Sequence, residues 1–276
     1  MISIQNLGFS YGESVVLKDI TMSLEDGRIY GLLGENGVGK TTLLTLLSGL
    51  KKPKAGKIDI DGQSPFDRNP SLLSEIYYLS DEVAEANLTA IEYASCYGKF
   101  WKNFNLGKFV EIMGFFENAQ DQKMNQMSFG QLKKTHISFA LACSTKYLFM
   151  DEPTNGLDIP SKAQFRKALM KYTREDSTVL ISTHQVRDLE SVIDPIIILD
   201  KLQVLLNASI EEINEKLYFD YDSEIKPEAL YSEMIPGGNI QVMLNTTGED
   251  SKVNIEALFN TVHKHKELTS KIFTKQ

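Results

Sequence analysis

The run GENGVGKT at residues 34–41 constrains this chain more than any other stretch. It has the form G-x-x-x-x-G-K-[S/T], follows the strand-like RIYGLL and opens the leucine-rich TLLTLLSGL, which is the strand–loop–helix context the pattern requires. Glycines let consecutive backbone N–H groups curl into an anion-binding nest, and the N-terminus of the following helix adds its dipole. Lys40 then supplies a cation for β- and γ-phosphates, and the Thr41 hydroxyl can ligate Mg²⁺. A random chain of this length carries the pattern roughly one time in a hundred, so nucleotide binding is the expectation.

The rest of the chain reads as an α/β protein. The first 60 residues alternate strand-like runs with turns (MISIQNLGF, VLKDITMSLE, RIYGLLG, KIDIDG) around one helical stretch striped with Leu43, Leu44, Leu46, Leu47 and Leu50. IYYLS (76–80) reads as a further strand. Residues 87–145 read as almost wholly helical: LTAIEYASCYGKFW opens on a Thr89–Glu92 capping box, LGKFVEIMGFF follows, and SFGQLKKTHISFALACS begins with a second box, Ser128 to Gln131. Strand and helix then alternate through YLFMD, PSKAQFRKALMKY, TVLIST, QVRDLESVI and PIIILD. Strands separated by helices predict a parallel-sheet core, with the helical block (about 84–145) inserted into it. After Leu206, SIEEINEKLYFDYDSE and NIEALFNTVHKHKE read as helices around a strand NIQVMLN that follows a PGG turn. The expected organisation is one domain over 1–206 and a small α+β accessory region over 207–276.

Bulk properties exclude several classes. The net charge of −8 gives no overall pull toward nucleic acid or anionic lipid. The two cysteines, Cys96 and Cys143, lie in apolar helical patterns and are expected as buried free thiols rather than a disulfide or metal site. The N-terminal run has no positive region followed by an apolar core, so no secretory signal is expected. No apolar run approaches the roughly 20 residues that cross a bilayer. The expected location is therefore cytoplasmic, with any membrane role carried by a partner.

A second acidic motif joins the phosphate loop. YLFMDEP ends a buried-looking strand in Asp151 and Glu152, and open α/β sheets bind ligands at the carboxyl ends of their strands. Asp151 there can hold Mg²⁺ through its water shell, and Glu152 can polarise an attacking water. In order, the chain carries FSYG (9–12), GENGVGKTT (34–42), MSFGQ (127–131), YLFMDEP (147–153), NGLD (155–158) and STH (182–184). That ordered set resembles the nucleotide-binding subunits of ATP-binding-cassette (ABC) transporters over roughly residues 1–206.

The resemblance implies a P-loop NTPase fold: a parallel-sheet RecA-like core, an antiparallel β subdomain and an inserted α-helical subdomain, here followed by the C-terminal extension. It also implies ATP and Mg²⁺ as ligands. Tyr11 corresponds to the aromatic that stacks on adenine, with Val16 near the base. Asn36, Gly37, Val38, Gly39, Lys40, Thr41 and Thr42 correspond to the phosphate cradle, with Thr41 and Asp151 at the metal. Glu152 corresponds to the catalytic base and His184 to the histidine that contacts the γ-phosphate and attacking water. Ser128, Gly130 and Gln131 belong to a signature that meets the ATP of a second subunit, and Asp158 to a loop at that subunit interface. Ordinary roles stand beside these: Tyr11 as a turn aromatic, His184 as a neighbour of a helix cap, Asp158 as a helix cap itself.

Two positions depart from the family pattern. Members usually place Gln after the strand 76–80, where it touches Mg²⁺ and relays nucleotide state to the membrane subunit; Asp81 stands there instead. A carboxylate can still accept from metal-bound water, but it is shorter and charged, and a plain loop acid is the alternative. Phe129 occupies a signature position where Gly is common, and is expected to point away from nucleotide toward the subunit interface. The resemblance implies an ATPase subunit that pairs head to tail with a second copy or a homologue. It would sit on the inner face of the cell membrane through an integral membrane subunit, in export-type systems. The rival readings are a soluble ATPase acting on ribosomes or DNA, which the negative charge and single cassette disfavour, and a regulatory subunit without hydrolysis.

Overall fold

In the computed structural model, which describes residues 1–273, the N-terminal strands divide between two sheets. β1 (Ile2–Tyr11) and β2 (Ser14–Leu24) form an antiparallel hairpin. β3 (Ile29–Leu33) enters a second sheet and runs through the phosphate loop into α1 (Lys40–Leu47). β4 (Ala55–Ile60) returns to the free edge of β1, with Ile2 opposite Ile60 and Ile4 opposite Ile58. These four isoleucines are buried on one face and pack with the leucines of α1, as period-2 and helical patterning require.

The second sheet holds the site. A short helix α2 (Pro70–Leu73), capped by Asn69, leads into β5 (Ile76–Leu79). The inserted block follows as α3 (Ala90–Tyr97), α4 (Leu106–Phe115) and α5 (Phe129–Ala142), and both expected capping boxes are formed. β6 (Tyr147–Asp151), α6 (Ile159–Tyr172), β7 (Thr178–Thr183), β8 (Ile196–Asp200) and β9 (Gln203–Ala208) complete the core. The strand order is β5-β6-β7-β3-β8-β9, parallel except for β9. β6, β7 and β8 are buried at every position, as strands covered on both faces must be.

The inserted block is pinned by one aromatic. Phe139 of α5 is 1% exposed, with ring centroids 5.8, 5.2, 5.6 and 5.4 Å from Tyr77, Tyr93, Trp101 and Phe104. The Trp101 indole N–H donates to the Ile76 carbonyl at 2.8 Å, tying the block to β5. Among the described residues no helix is long and apolar enough to cross a membrane.

The C-terminal residues build α7 (Ile210–Lys216), β10 (Leu217–Asp222), β11 (Tyr231–Ile235), β12 (Gly238–Leu244), α8 (Ile255–Lys264) and α9 (Lys266–Phe273), with a third sheet ordered β10-β12-β11. Four expectations need correction. LYFDYD does not continue a helix: Leu217 and Phe219 are buried in alternation with more exposed neighbours, a strand pattern. The change of character after Leu206 falls inside β9, the edge strand of the main sheet. QVRDLESVI forms only a three-residue 3₁₀ turn, Val186–Asp188, and the turns after it bring the Asp194 N–H onto the Ile29 carbonyl at 2.8 Å, at the start of β3. Cys143 is buried, but Cys96 is exposed, since α3 buries Ala90 and Ala94 instead.

Truncating Phe139 removes the centre of the aromatic cluster. Phe139→Ala is expected to lower stability by about 3–5 kcal/mol, read as a fall in the urea midpoint with the same denaturant slope.

Candidate functional site

The phosphate loop leaves the start of α1 open. α3, α5 and α6 each have a side chain accepting from the first turn (Thr89, Ser128 and Asp158), whereas α1 begins at Gly39 with φ 113° and no side-chain cap. A helix start without an internal acceptor is suited to an external anion. A side chain at Gly39 would press on Val16 and Leu17, at 3.0 and 3.1 Å from its Cβ. Lys40 is buried, its ammonium donating to the carbonyls of Gly34 (2.7 Å) and Glu35 (3.1 Å) and lying 3.9 Å from Glu152 Oε1. Burial holds its pKa below the usual lysine value, against the opposing pull of Glu152 and Asp151.

The acids stand at the carboxyl end of β6. Asp151 Oδ2 accepts from the Thr41 hydroxyl at 2.6 Å and the Tyr78 hydroxyl at 3.4 Å, while Oδ1 accepts from the Ser182 hydroxyl. Burial, with Asp151 nearby, pushes the Tyr78 phenol up to about 12, so Tyr78 stays a donor. Neighbouring residues of an extended strand point to opposite faces, yet both acids line one cavity. The turn is made at Glu152, which adopts φ 44°, an uncommon conformation for a residue with a side chain. Its N–H is held by the carbonyl and hydroxyl oxygens of Ser182, both at 3.1 Å. Glu152 Oε1 lies 2.8 Å from His184 Nδ1, and Oε2 accepts the His184 backbone N–H at 3.4 Å. The carboxylate fixes the tautomer with the proton on Nδ1.

Together these groups line a cavity of about 580 Å³ with Tyr11, Val16, Asn36, Gly37, Gly39, Lys40, Thr41, Thr42, Asp81, Asp151, Glu152, Asn155 and His184, within the range of small-molecule sites. Tyr11 is half-exposed at its mouth, edge-on to Phe9 at 5.0 Å, with its hydroxyl 3.3 Å from Thr42 Oγ1. Val38 is not in the lining; its side chain packs against the hydrophobic core behind the loop, which leaves its backbone as the part that can face an anion. The oxygens of Thr41 and Asp151 suit a hard cation. Among the described residues no cluster of three or more His, Cys, Asp or Glu forms a metal cage. The Thr41 hydroxyl and Asp151 carboxylate fit Mg²⁺, which keeps waters and phosphate oxygens in the rest of its shell.

The signature residues lie apart. Ser128 caps α5, accepting from the Gln131 N–H at 3.3 Å, and Gln131 Oε1 accepts the Ser128 N–H at 2.9 Å. Ser128, Gly130 and Gln131 are outside the cavity lining. Phe129 is half-exposed, and its ring covers Gly156 of the same chain, 2.2 Å from where a Cβ there would stand. Asp158 caps α6, accepting the Ser161 N–H at 2.9 Å.

Sequence reasoning passed over Tyr78, Ser182, Asn155 and Lys133. The first three lie inside or beside motifs, but their partners are set by strand register. Lys133 carried a usable signal: it stands one turn before buried Ile137 and two before buried Ala140, on a helix face where a lysine needs a partner.

A family model described as "ABC transporter" matches residues 17–155. Curated relatives include the petrobactin import ATP-binding protein YclP of Bacillus subtilis, 27% identical over 85% of this chain and 98% of its own length. The lantibiotic transport ATP-binding protein SrtF of Streptococcus pyogenes is also 27% identical, over 85% and 97%. The linearmycin resistance ATP-binding protein LnrL of Bacillus subtilis is 29% identical over 79% and 72%. In fold, the chain is similar to an ATP-binding subunit of an ABC transporter (TM-score 0.69, 21% identity, 78% of this chain and 92% of that one). It is likewise similar to a dimeric ATP-binding cassette bound to ADP and Pi (TM-score 0.66, 24% identity, 76% and 98%). The chain belongs to the ABC transporter family, as one of its ATP-binding ATPase cassettes.

Proposed function

We propose that this chain hydrolyses ATP in a head-to-tail pair and drives a separate membrane-spanning subunit. One observation carries the pairing: Ser128, Gly130 and Gln131 lie off the cavity that gathers Lys40, Thr41, Asp151, Glu152 and His184. A second chain, a copy or a homologue, would bring its own signature onto the nucleotide. The division into a cassette that runs through the end of β9 at Ala208 and an accessory region after it is part of this reading, as is a position on the inner face of the membrane. Export is the direction we favour, on the likeness to lantibiotic-transport and linearmycin-resistance proteins.

In this reading Tyr11 and Val16 receive the adenine, and the backbone from Asn36 to Thr42 receives the phosphates. Lys40 already sits among carbonyls at the loop and can exchange them for phosphate oxygens. Thr41 and Asp151 would hold Mg²⁺, with Asp81 reaching its water shell; the ion supplies charge neutralisation on the phosphate oxygens. Glu152, desolvated and pinned through its backbone to Ser182, accepts the proton of the attacking water. His184 Nδ1–H holds the Glu152 carboxylate in place, where a terminal phosphate and water would meet.

Glu152→Gln should keep ATP affinity within a few-fold while lowering turnover at least about 100-fold, and should accumulate an ATP-bound dimer in sedimentation velocity. Undiminished phosphate release would remove Glu152 from its role. A mixing experiment tests the pairing. Lys40→Met and Ser128→Arg chains should each be inactive alone. If two copies pair, an equal mixture should recover roughly a quarter of wild-type activity, because half the dimers keep one intact composite site. No recovery would count against a site shared between copies.

A further inference from the structure

Lys133 of α5 is fully buried, and its ammonium reaches out of the helix to a single loop residue. It donates to the Asp81 carbonyl at 2.8 Å and to Asp81 Oδ1 at 3.3 Å. The side-chain amide of Asn155 donates to both Asp81 oxygens, at 3.2 and 3.3 Å. Asp81 itself is only partly covered, its side chain 42% exposed, and it lines the nucleotide cavity alongside Thr41, Asp151 and Glu152.

Two costs meet here. A lysine ammonium without solvent is strongly unfavourable unless paired and hydrogen-bonded; among the described residues Asp81 is the carboxylate within salt-bridge distance of it. A third carboxylate beside Asp151 and Glu152 would repel a polyanionic nucleotide, by an amount that grows as solvent is excluded. Each charge removes the cost of the other. The bond from the Lys133 ammonium to the Asp81 backbone carbonyl also fixes the loop, so that the short aspartate side chain stays in the cavity lining rather than on a free loop.

We infer that Lys133 is a positioning residue for nucleotide binding: it neutralises Asp81 and holds that carboxylate on the metal side of the cavity, so that Asp81 and Lys133 work as one unit. The inference rests on the reading of the cavity as the ATP–Mg²⁺ site.

The test is a double-mutant cycle on the full chain, with a fluorescent ATP analogue titrated in Mg²⁺ and in EDTA, and with thermal unfolding measured on each variant. Lys133→Met should weaken binding of the Mg²⁺-loaded analogue about tenfold, and of the free analogue in EDTA by more, since it lacks the two positive charges of the ion. Asp81→Asn should lower the unfolding midpoint, because it leaves a buried ammonium without its carboxylate. Asp81→Asn/Lys133→Met should bind more tightly than Lys133→Met and melt above Asp81→Asn. Lys133→Arg, which keeps the charge, should stay within a few-fold of wild type. If Lys133→Met does not fold, the Asp81→Asn, Lys133→Arg and double variants still close the comparison, the double having no uncompensated charge. Additive losses in the double variant, or a folded Lys133→Met with wild-type Mg²⁺-dependent affinity, would overturn the inference and leave Lys133 a structural residue. Failure of the wild-type chain to bind the analogue would instead remove the underlying reading of the cavity.

Discussion

The cavity hangs from the end of β7. Ser182 pairs with Asp151 across the β6–β7 ladder, and Thr183 pairs with Leu33 across the β3–β7 ladder. One strand end therefore sets the acids on one side and the phosphate loop on the other. Ser182 contributes more than register: its hydroxyl donates to Asp151, and its two oxygens receive the Glu152 N–H. That double hold lets Glu152 keep a backbone conformation it would not choose alone, and turns two sequential acids toward the same space. His184, two residues beyond Ser182, closes the arrangement by bonding Glu152 twice.

The charge balance of the cavity follows from the same construction. Two buried lysines set it: Lys40, at the start of α1, lines the cavity, and Lys133 of α5 stands behind Asp81, outside the lining. Lys40 faces Glu152, and Lys133 faces Asp81. Each buried cation thus has a specific acid, and a polyanion arriving with Mg²⁺ would redistribute these pairings rather than meet bare carboxylates. α5 also carries Ser128 as the cap of its first turn, so one helix both balances Asp81 and begins with that capping box.

Much of this was legible in the sequence wherever local chemistry decides the outcome. The glycine loop, the capping boxes at Thr89 and Ser128 and the apolar runs of β6, β7 and β8 name their own conformation, because the interactions that fix them lie within a few residues. Lys133 with Asp81 is a contact across 52 positions and Ser182 with Asp151 one across 31; such contacts depend on strand order and helix placement, which no local pattern encodes. The C-terminal errors have the same origin. LYFDYD is a strand because β12 lies beside it, and β11 carries no local signal because none of its residues is buried and its most exposed one is the apolar Met234. Val38 was read as part of the phosphate cradle, but only its main chain can serve there, since the side chain belongs to the core.

Phe129 and Gly156 form a matched pair of shapes. The ring of one fills the volume that any side chain at the other would need, and Gly156 also stands at φ 76°. A change at Gly156 must therefore wait for Phe129 to shrink, whereas Phe129 can shrink first at the cost of a gap. The order in which these two positions can vary is set by packing, so with Phe129 in place one route of change is closed in the loop between Glu152 and Asp158.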